Sequence, residues 1–124
     1  MAVTADQTKT PIEVARLRVR PQFVYVRGGI TERRKSLLVQ ARQRAGEAPG
    51  PHAGAGFTAT KKIGNAVVRN RAKRRLREAA RLLLPRLGRP GWDYVFIARQ
   101  DSADIGWDRL LDDMESALIS LAAH

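Results

Sequence analysis

The sequence predicts a single mixed α/β domain, and three observations carry that reading. Short apolar runs at residues 36–42, 55–61 and 92–98 have the length of strands, whereas the stretches beginning at 65 and near 106 repeat apolar residues at helical spacing. The chain has 124 residues, 44% of them hydrophobic, which suits one core burying roughly two-thirds of the surface that the unfolded chain exposes. It contains no cysteine. That excludes disulfides, thiolate metal ligands and cysteine nucleophiles, and it fits a reducing, cytoplasmic setting.

The elements follow in order. Residues 1–14 are polar and aperiodic and are expected to form a flexible arm, leaving 15–124 as the domain. There is no basic, apolar leader and no apolar run of the about 18 residues needed to cross a bilayer, so neither export nor a membrane partner is expected. Arg20-Pro21 starts a short helix, carrying Phe23 and Val26, that Gly28-Gly29 stops. Ser36–Arg42 reads as a strand, the Gly/Pro-rich stretch 46–54 as a loop, and Ala55–Lys61 as a second strand, the two forming an antiparallel hairpin. Asn65 caps a long helix whose apolar positions are Val68, Ala72, Leu76, Ala79 or Ala80, Leu83 and Leu87. Gly88–Gly91 ends it. Trp92–Ala98 is a buried strand, and Trp107, Leu110, Leu111, Met114, Leu118 and Leu121 mark a last helix.

Charge is distributed very unevenly over this frame. Residues 61–81 hold nine basic side chains against the single acid Glu78, giving +8 of the chain's +11. About 100° of rotation per residue places Asn70, Arg74, Arg77 and Arg81 opposite the core face of the long helix, with Arg71 and Lys73 on its flanks. A solvated charged face is the ordinary explanation of such a run. The density argues against it here, because like-charge pairs four apart, such as Arg69 with Lys73 and Lys73 with Arg77, each cost a few tenths of a kcal/mol. Such self-repulsion is offset by a polyanion. Arginine predominates, and its planar fork suits phosphate and base contacts. A pI near 11.4 combined with a real core describes a folded nucleic-acid-binding domain, not a basic tail.

Other candidate sites are less distinctive. Lys61-Lys62-Ile63-Gly64-Asn65 lies at a strand-to-helix junction that suits either a bound phosphate or an ordinary capped turn. Phe23 fits a core position and also a base-stacking one. Trp92, Tyr94, Phe96 and Trp107 sit in apolar periodic contexts and read as packing residues. The two histidines, His52 in a loop and His124 at the end, belong to no catalytic constellation, so no catalytic residue is expected. The carboxylates Asp101, Asp104, Asp108, Asp112, Asp113 and Glu115 form an acidic region rather than a metal site, and no metal ligand is assigned.

The stretch from Thr58 through Lys61-Lys62-Ile63-Gly64-Asn65 and Arg69-Asn70-Arg71 to Glu78 resembles the signature of the bacterial ribonuclease P protein subunit. Arg16-Leu17-Arg18 with Phe23 and Gly28-Gly29 resembles the family's first helix, and Asp93–Arg99 its last strand. The resemblance implies a two-layer α/β (α+β) sandwich of the ribosomal protein S5 domain 2-like kind. Its central sheet would have about four strands, and its basic helix would make a left-handed crossover between parallel strands, against the usual hand. It implies an accessory protein of a ribozyme: the catalytic RNA removes the 5′ leader of precursor tRNA with Mg2+, and the protein alone binds no cofactor. Carried over by position, the RNA contacts are Lys61, Lys62, Asn65, Arg69, Asn70, Arg71, Lys73, Arg74 and Arg77, and a leader cleft contains Phe23, Thr58 and Thr60. The chain departs from the family at Arg27, where many members have a second aromatic, and at Gln40, where some have a tyrosine. Leader binding would then lean more on charge. The alternatives are a structural ribosomal (rRNA-binding) protein, a DNA major-groove reader and a stand-alone nuclease; a DNA partner is not expected, because arginines surround too much of the helix.

Overall fold

The computed structural model describes residues 11–46 and 50–124. The expected flexible arm falls, for residues 1–10, outside the described residues; Ile12 already donates its N–H to the Pro85 carbonyl at 3.0 Å, and Val14 opens the first strand. The order is β1 (Val14–Arg16), α1 (Arg20–Arg27), β2 (Ile30–Arg33), β3 (Leu37–Gln43), β4 (Ala53–Thr58), a 3-10 turn (Lys61–Ile63), α2 (Ala66–Leu87), β5 (Trp92–Ala98), a second 3-10 turn (Gln100–Ala103) and α3 (Trp107–Ala122).

The strands form one five-stranded sheet in the order β1-β4-β5-β3-β2. The expected hairpin of the first two apolar runs, residues 36–42 and 55–61, does not exist. β5 lies between β3 and β4, antiparallel to the first and parallel to the second. The reason is burial: Asp93, Tyr94, Val95 and Phe96 are all buried, so β5 requires cover on both faces, as an interior strand has. β4 also ends at Thr58, so Thr60 and Lys61 do not continue its alternation. Two strands join the expected set, β1 and β2, and both are edge strands of three and four residues. Their short, charged edges resist pairing with other chains.

Helices α2 and α3 pack together on one face of the sheet. Ala72, Leu76, Ala79, Leu83 and Leu84 from α2 and Leu110, Met114, Ala117, Leu118 and Leu121 from α3 meet Leu37, Val39, Ala41, Tyr94 and Phe96 in one cluster. Tyr94 fills the middle of it; its hydroxyl accepts from the Arg89 N–H at 2.9 Å, and burial pushes its phenol up. Helix α1 lies on the opposite face over a smaller cluster of Leu17, Val26 and Val95. Pro21 sits in its first turn, and the Gln22 side chain reaches back to accept from the N–H groups of Arg18 and Val19 at 2.8 and 3.1 Å. A buried ion pair, Arg44–Asp93 at 2.6 Å, with Arg44 also donating to the His52 carbonyl at 2.6 Å, ties the β3–β4 connection to β5.

Candidate nucleic-acid interface

The junction before α2 is held by backbone chemistry. Gly64 has φ +147°, a conformation that side chains avoid, and it turns the chain from the 3-10 turn into the helix. Asn65 then accepts from the Val68 N–H at 3.0 Å, satisfying one of the four unpaired donors at the helix start. The capping role is therefore real, and it engages the side-chain oxygen of Asn65 while leaving its amide nitrogen available. Lys61 and Lys62 stand exposed in the turn just before.

Along α2 the arginines divide into two groups. Asn70, Arg74, Arg77 and Arg81 are exposed on the outer face, as the helical spacing predicts, with Arg69, Arg71 and Lys73 half-buried beside them. Arg75 instead turns inward, donating to the carbonyls of Ser102 (2.7 Å) and Ile105 and so fastening the turn after β5. Arg71 pairs with Asp104 at 3.2 Å, and Arg81 with Glu78 at 2.9 Å, whose carboxyl it holds below the usual range through its hydrogen bond and charge. Among the described residues Lys61, Lys62, Arg69, Lys73 and Arg74 make no salt bridge. The Nε atoms of Arg69 and Arg71 are buried with no hydrogen-bond partner among the described residues. Buried donors left without an acceptor are rare in folded proteins.

The opposite face of the sheet carries the second part of the site. Register places Gly56, Val95, Gln40 and Thr31 in one row across the strands, and Thr58, Ile97, Leu38 and Arg33 in the next. Helix α1 covers the first row at its β4 end. A Cβ on Gly56 would lie 2.5 Å from the Phe23 ring, so glycine is what lets that ring lie on the sheet. Phe23 is half-buried: it packs beside Leu17, Val26 and Val95 yet keeps part of its surface open. Thr58, Ile97, Leu38 and Gln40 remain half-buried beyond it and form a shallow floor. Arg27 is exposed at the end of α1, and Tyr25 turns away, its hydroxyl donating to the Gln43 carbonyl at 2.7 Å beneath the Arg42 guanidinium.

Thr60 does not share that floor. It lines a separate hollow of about 390 Å³ with Lys35, Lys62, Ile63, Arg99, Gln100 and Asp101, at the ends of β4 and β5. Lys35 and Arg99 thus join Lys62 around one opening, and Arg99 is steadied by donating to the Arg34 carbonyl at 3.1 Å. Sequence reasoning assigned them no role, because only the strand order brings them there. Trp107, expected to pack, is 37% exposed with the Arg75 guanidinium 6.0 Å from its ring. His124 lies 3.3 Å from Glu32, and Arg34 foremost, through its side-chain hydrogen bond, lowers the Glu32 pKa; His52 contributes its carbonyl to Arg44.

A protein-family model for ribonuclease P matches residues 13–122. The chain is 56% identical over 109 residues to the ribonuclease P protein component of Ruegeria pomeroyi, covering 86% of each. It is 54% identical over 112 residues to that of Caulobacter vibrioides, covering 90% of this chain and 74% of the relative. Among solved structures, a Staphylococcus aureus RNase P protein mutant with defective mRNA degradation activity superposes with a TM-score of 0.70 at 25% identity, covering 87% of both chains. The Thermotoga maritima RNase P protein gives a TM-score of 0.70 at 23% identity over 85% of this chain and 96% of that one, a likeness of fold.

Proposed function

The chain belongs to the ribonuclease P protein family, and from that premise we propose that it docks the catalytic RNA on the outer face of α2 and the single-stranded 5′ leader of precursor tRNA on the open sheet face. Its role is in the ribonuclease P endoribonuclease, with the ribonuclease P RNA as its partner. The structural ribosomal protein considered from the sequence is set aside by the family match. In this reading the RNA performs the cleavage with Mg2+ and the protein supplies no catalytic residue. The holoenzyme works in the cytoplasm, in keeping with the absence of cysteine; among the described residues no helix is long and apolar enough to cross a membrane.

The observation that carries the reading is that Lys61, Lys62, Arg69, Lys73 and Arg74, on and before α2, make no salt bridge among the described residues. RNA phosphates offer acceptors to these cations, and the planar guanidinium fork suits bidentate approach by a phosphate. On the other face, Phe23 above Gly56 offers a stacking surface, and Thr58 and Gln40 offer groups that can hydrogen-bond to splayed bases. Lys35, Lys62 and Arg99 lie where a strand leaving that floor would pass toward α2. Positive charge there lowers the repulsion between two RNA strands brought together and favours binding of substrate and metal.

A salt titration tests this. Replacing Arg74 and Arg77 by alanine should weaken assembly with ribonuclease P RNA and flatten the dependence of log K on log salt by about one phosphate contact each, leaving thermal unfolding within about 0.5 kcal/mol of the parent. An unchanged slope would refute the assignment of α2. Cleavage of precursor tRNA by the protein without RNA would refute the division of labour.

A further inference from the structure

A hollow of about 260 Å³ opens on the helix-covered face of the sheet, at its β1 edge. Its floor is apolar: Val14 from β1, Ala55 and Phe57 from β4, and Ala80 and Pro85 from α2. Three arginines from two elements, Arg16, Arg77 and Arg81, complete the lining. The hollow exists because small residues face each other there, Ala55 on the sheet and Ala80 on the helix, both 2% exposed. One face of the Phe57 ring stacks on Phe96, with centroids 5.3 Å apart and planes 15° from parallel. Its other side is left to the hollow, because β1 ends at Arg16, opposite Ala55. Ala55 and Phe57 alternate along β4 with Gly56 and Thr58, so this hollow and the leader floor lie on opposite faces of one strand.

We propose that this hollow is a second RNA subsite, taking one unpaired nucleotide: the base lies against Phe57, and the phosphates on either side of it meet Arg16, Arg77 and Arg81. The inference rests on the proposed function and extends its α2 surface around the helix. An aromatic face under an apolar base with guanidinium groups at the rim is the combination by which proteins hold extruded bases. Size selects the occupant, since sites for drug-sized molecules begin near 300 Å³ and this one has room for a single flat ring system. Charge selects it as well: the only acid among the described residues that engages the three arginines in a salt bridge is Glu78, in an exposed pair that a phosphate can exchange.

The test uses the full chain, labelled with 15N and titrated with adenosine 5′-monophosphate and, separately, ribose 5-phosphate. The nucleotide should shift the amides of Ala55, Phe57 and Ala80 saturably, and the sugar phosphate should bind about tenfold more weakly for want of a stacking ring. Ala80→Leu fills the hollow without changing charge. It should cost about tenfold in affinity for the nucleotide and for ribonuclease P RNA, with the salt slope of RNA binding unchanged. Should that variant unfold, Arg16→Gln on the exposed edge strand serves instead, weakening both ligands and lowering the slope by about one contact. Equal binding of nucleotide and sugar phosphate, or parental affinity of the filled variant for both nucleotide and RNA, would overturn the subsite. Parental protein that fails to bind ribonuclease P RNA overturns the proposed function instead, and the nucleotide titration then still decides whether the hollow accepts a base.

Discussion

Helices α2 and α3 do the same structural work with opposite charge. Both lie on one face of the sheet and bury a continuous apolar stripe, Leu76 through Leu84 on the first and Leu110 through Leu121 on the second. Outside that stripe, α2 carries eight basic residues and one acid, whereas α3 carries Asp108, Asp112, Asp113 and Glu115 against Arg109 alone. The layer therefore does not depend on the sign of the charge it presents. The basic ridge is surplus to folding and mildly opposed to it, so its explanation lies outside the chain. Arg75 is an instructive exception: it points inward and fastens the turn after β5.

The strongest way to break this comparison is to damage both stripes equally. Leu76 is fully buried and Leu118 is 1% exposed, so Leu76→Ala and Leu118→Ala should each cost about 2–5 kcal/mol by denaturant unfolding. The equivalence of the two helices predicts that the losses agree within about 2 kcal/mol, the scatter that differences in local relaxation produce. A variant that unfolded at α2 but tolerated α3 would show that α3 is merely attached to the domain.

A smaller effect separates how the two helices begin. Asn65→Ala removes the cap on Val68 and should cost about 1 kcal/mol. The change sharpens the comparison because Asn65 is also a proposed RNA contact. Asn65→Ser restores a capping oxygen without the amide nitrogen. If Asn65 serves the helix alone, the serine variant should recover both stability and RNA affinity; if its amide also meets RNA, stability returns and affinity does not.

The helices were legible because their signals are local. Arg20-Pro21, Gly28, Asn65 and Gly106 mark starts and stops within the neighbouring residues, and the apolar stripe of α2 follows from its spacing alone. The sheet was legible only in part. β1 and β2 are too short and too exposed to carry a periodic pattern, and the placing of β5 between β3 and β4 is a pairing between distant segments that no local motif encodes. The same division runs through the candidate site. The residues facing outward on α2 could be read from rotation, and Phe23 and Thr58 from the resemblance, but the meeting of Lys35 with Arg99 depends on where strand ends converge. Nor does spacing reveal that Arg75 turns inward, since its partners are carbonyls of a turn 27 and 30 residues away.

The smallest expected effect concerns the start of α3. Gly106 occupies the capping position with φ −53° and ψ 144°, values open to any residue, and a Cβ there would meet nothing within 4 Å beyond its chain neighbours. No side chain caps this helix, although Asp108 in its first turn already answers the helix dipole. Gly106→Asn would give α3 the device that α2 has. Because glycine is itself a fair cap, the gain should be only a few tenths of a kcal/mol, read as a small rise in the denaturation midpoint with RNA affinity unchanged. A gain as large as the loss at Asn65 would mean that the start of α3 frays in the parent chain. The two helices would then differ in how firmly they are anchored as well as in charge.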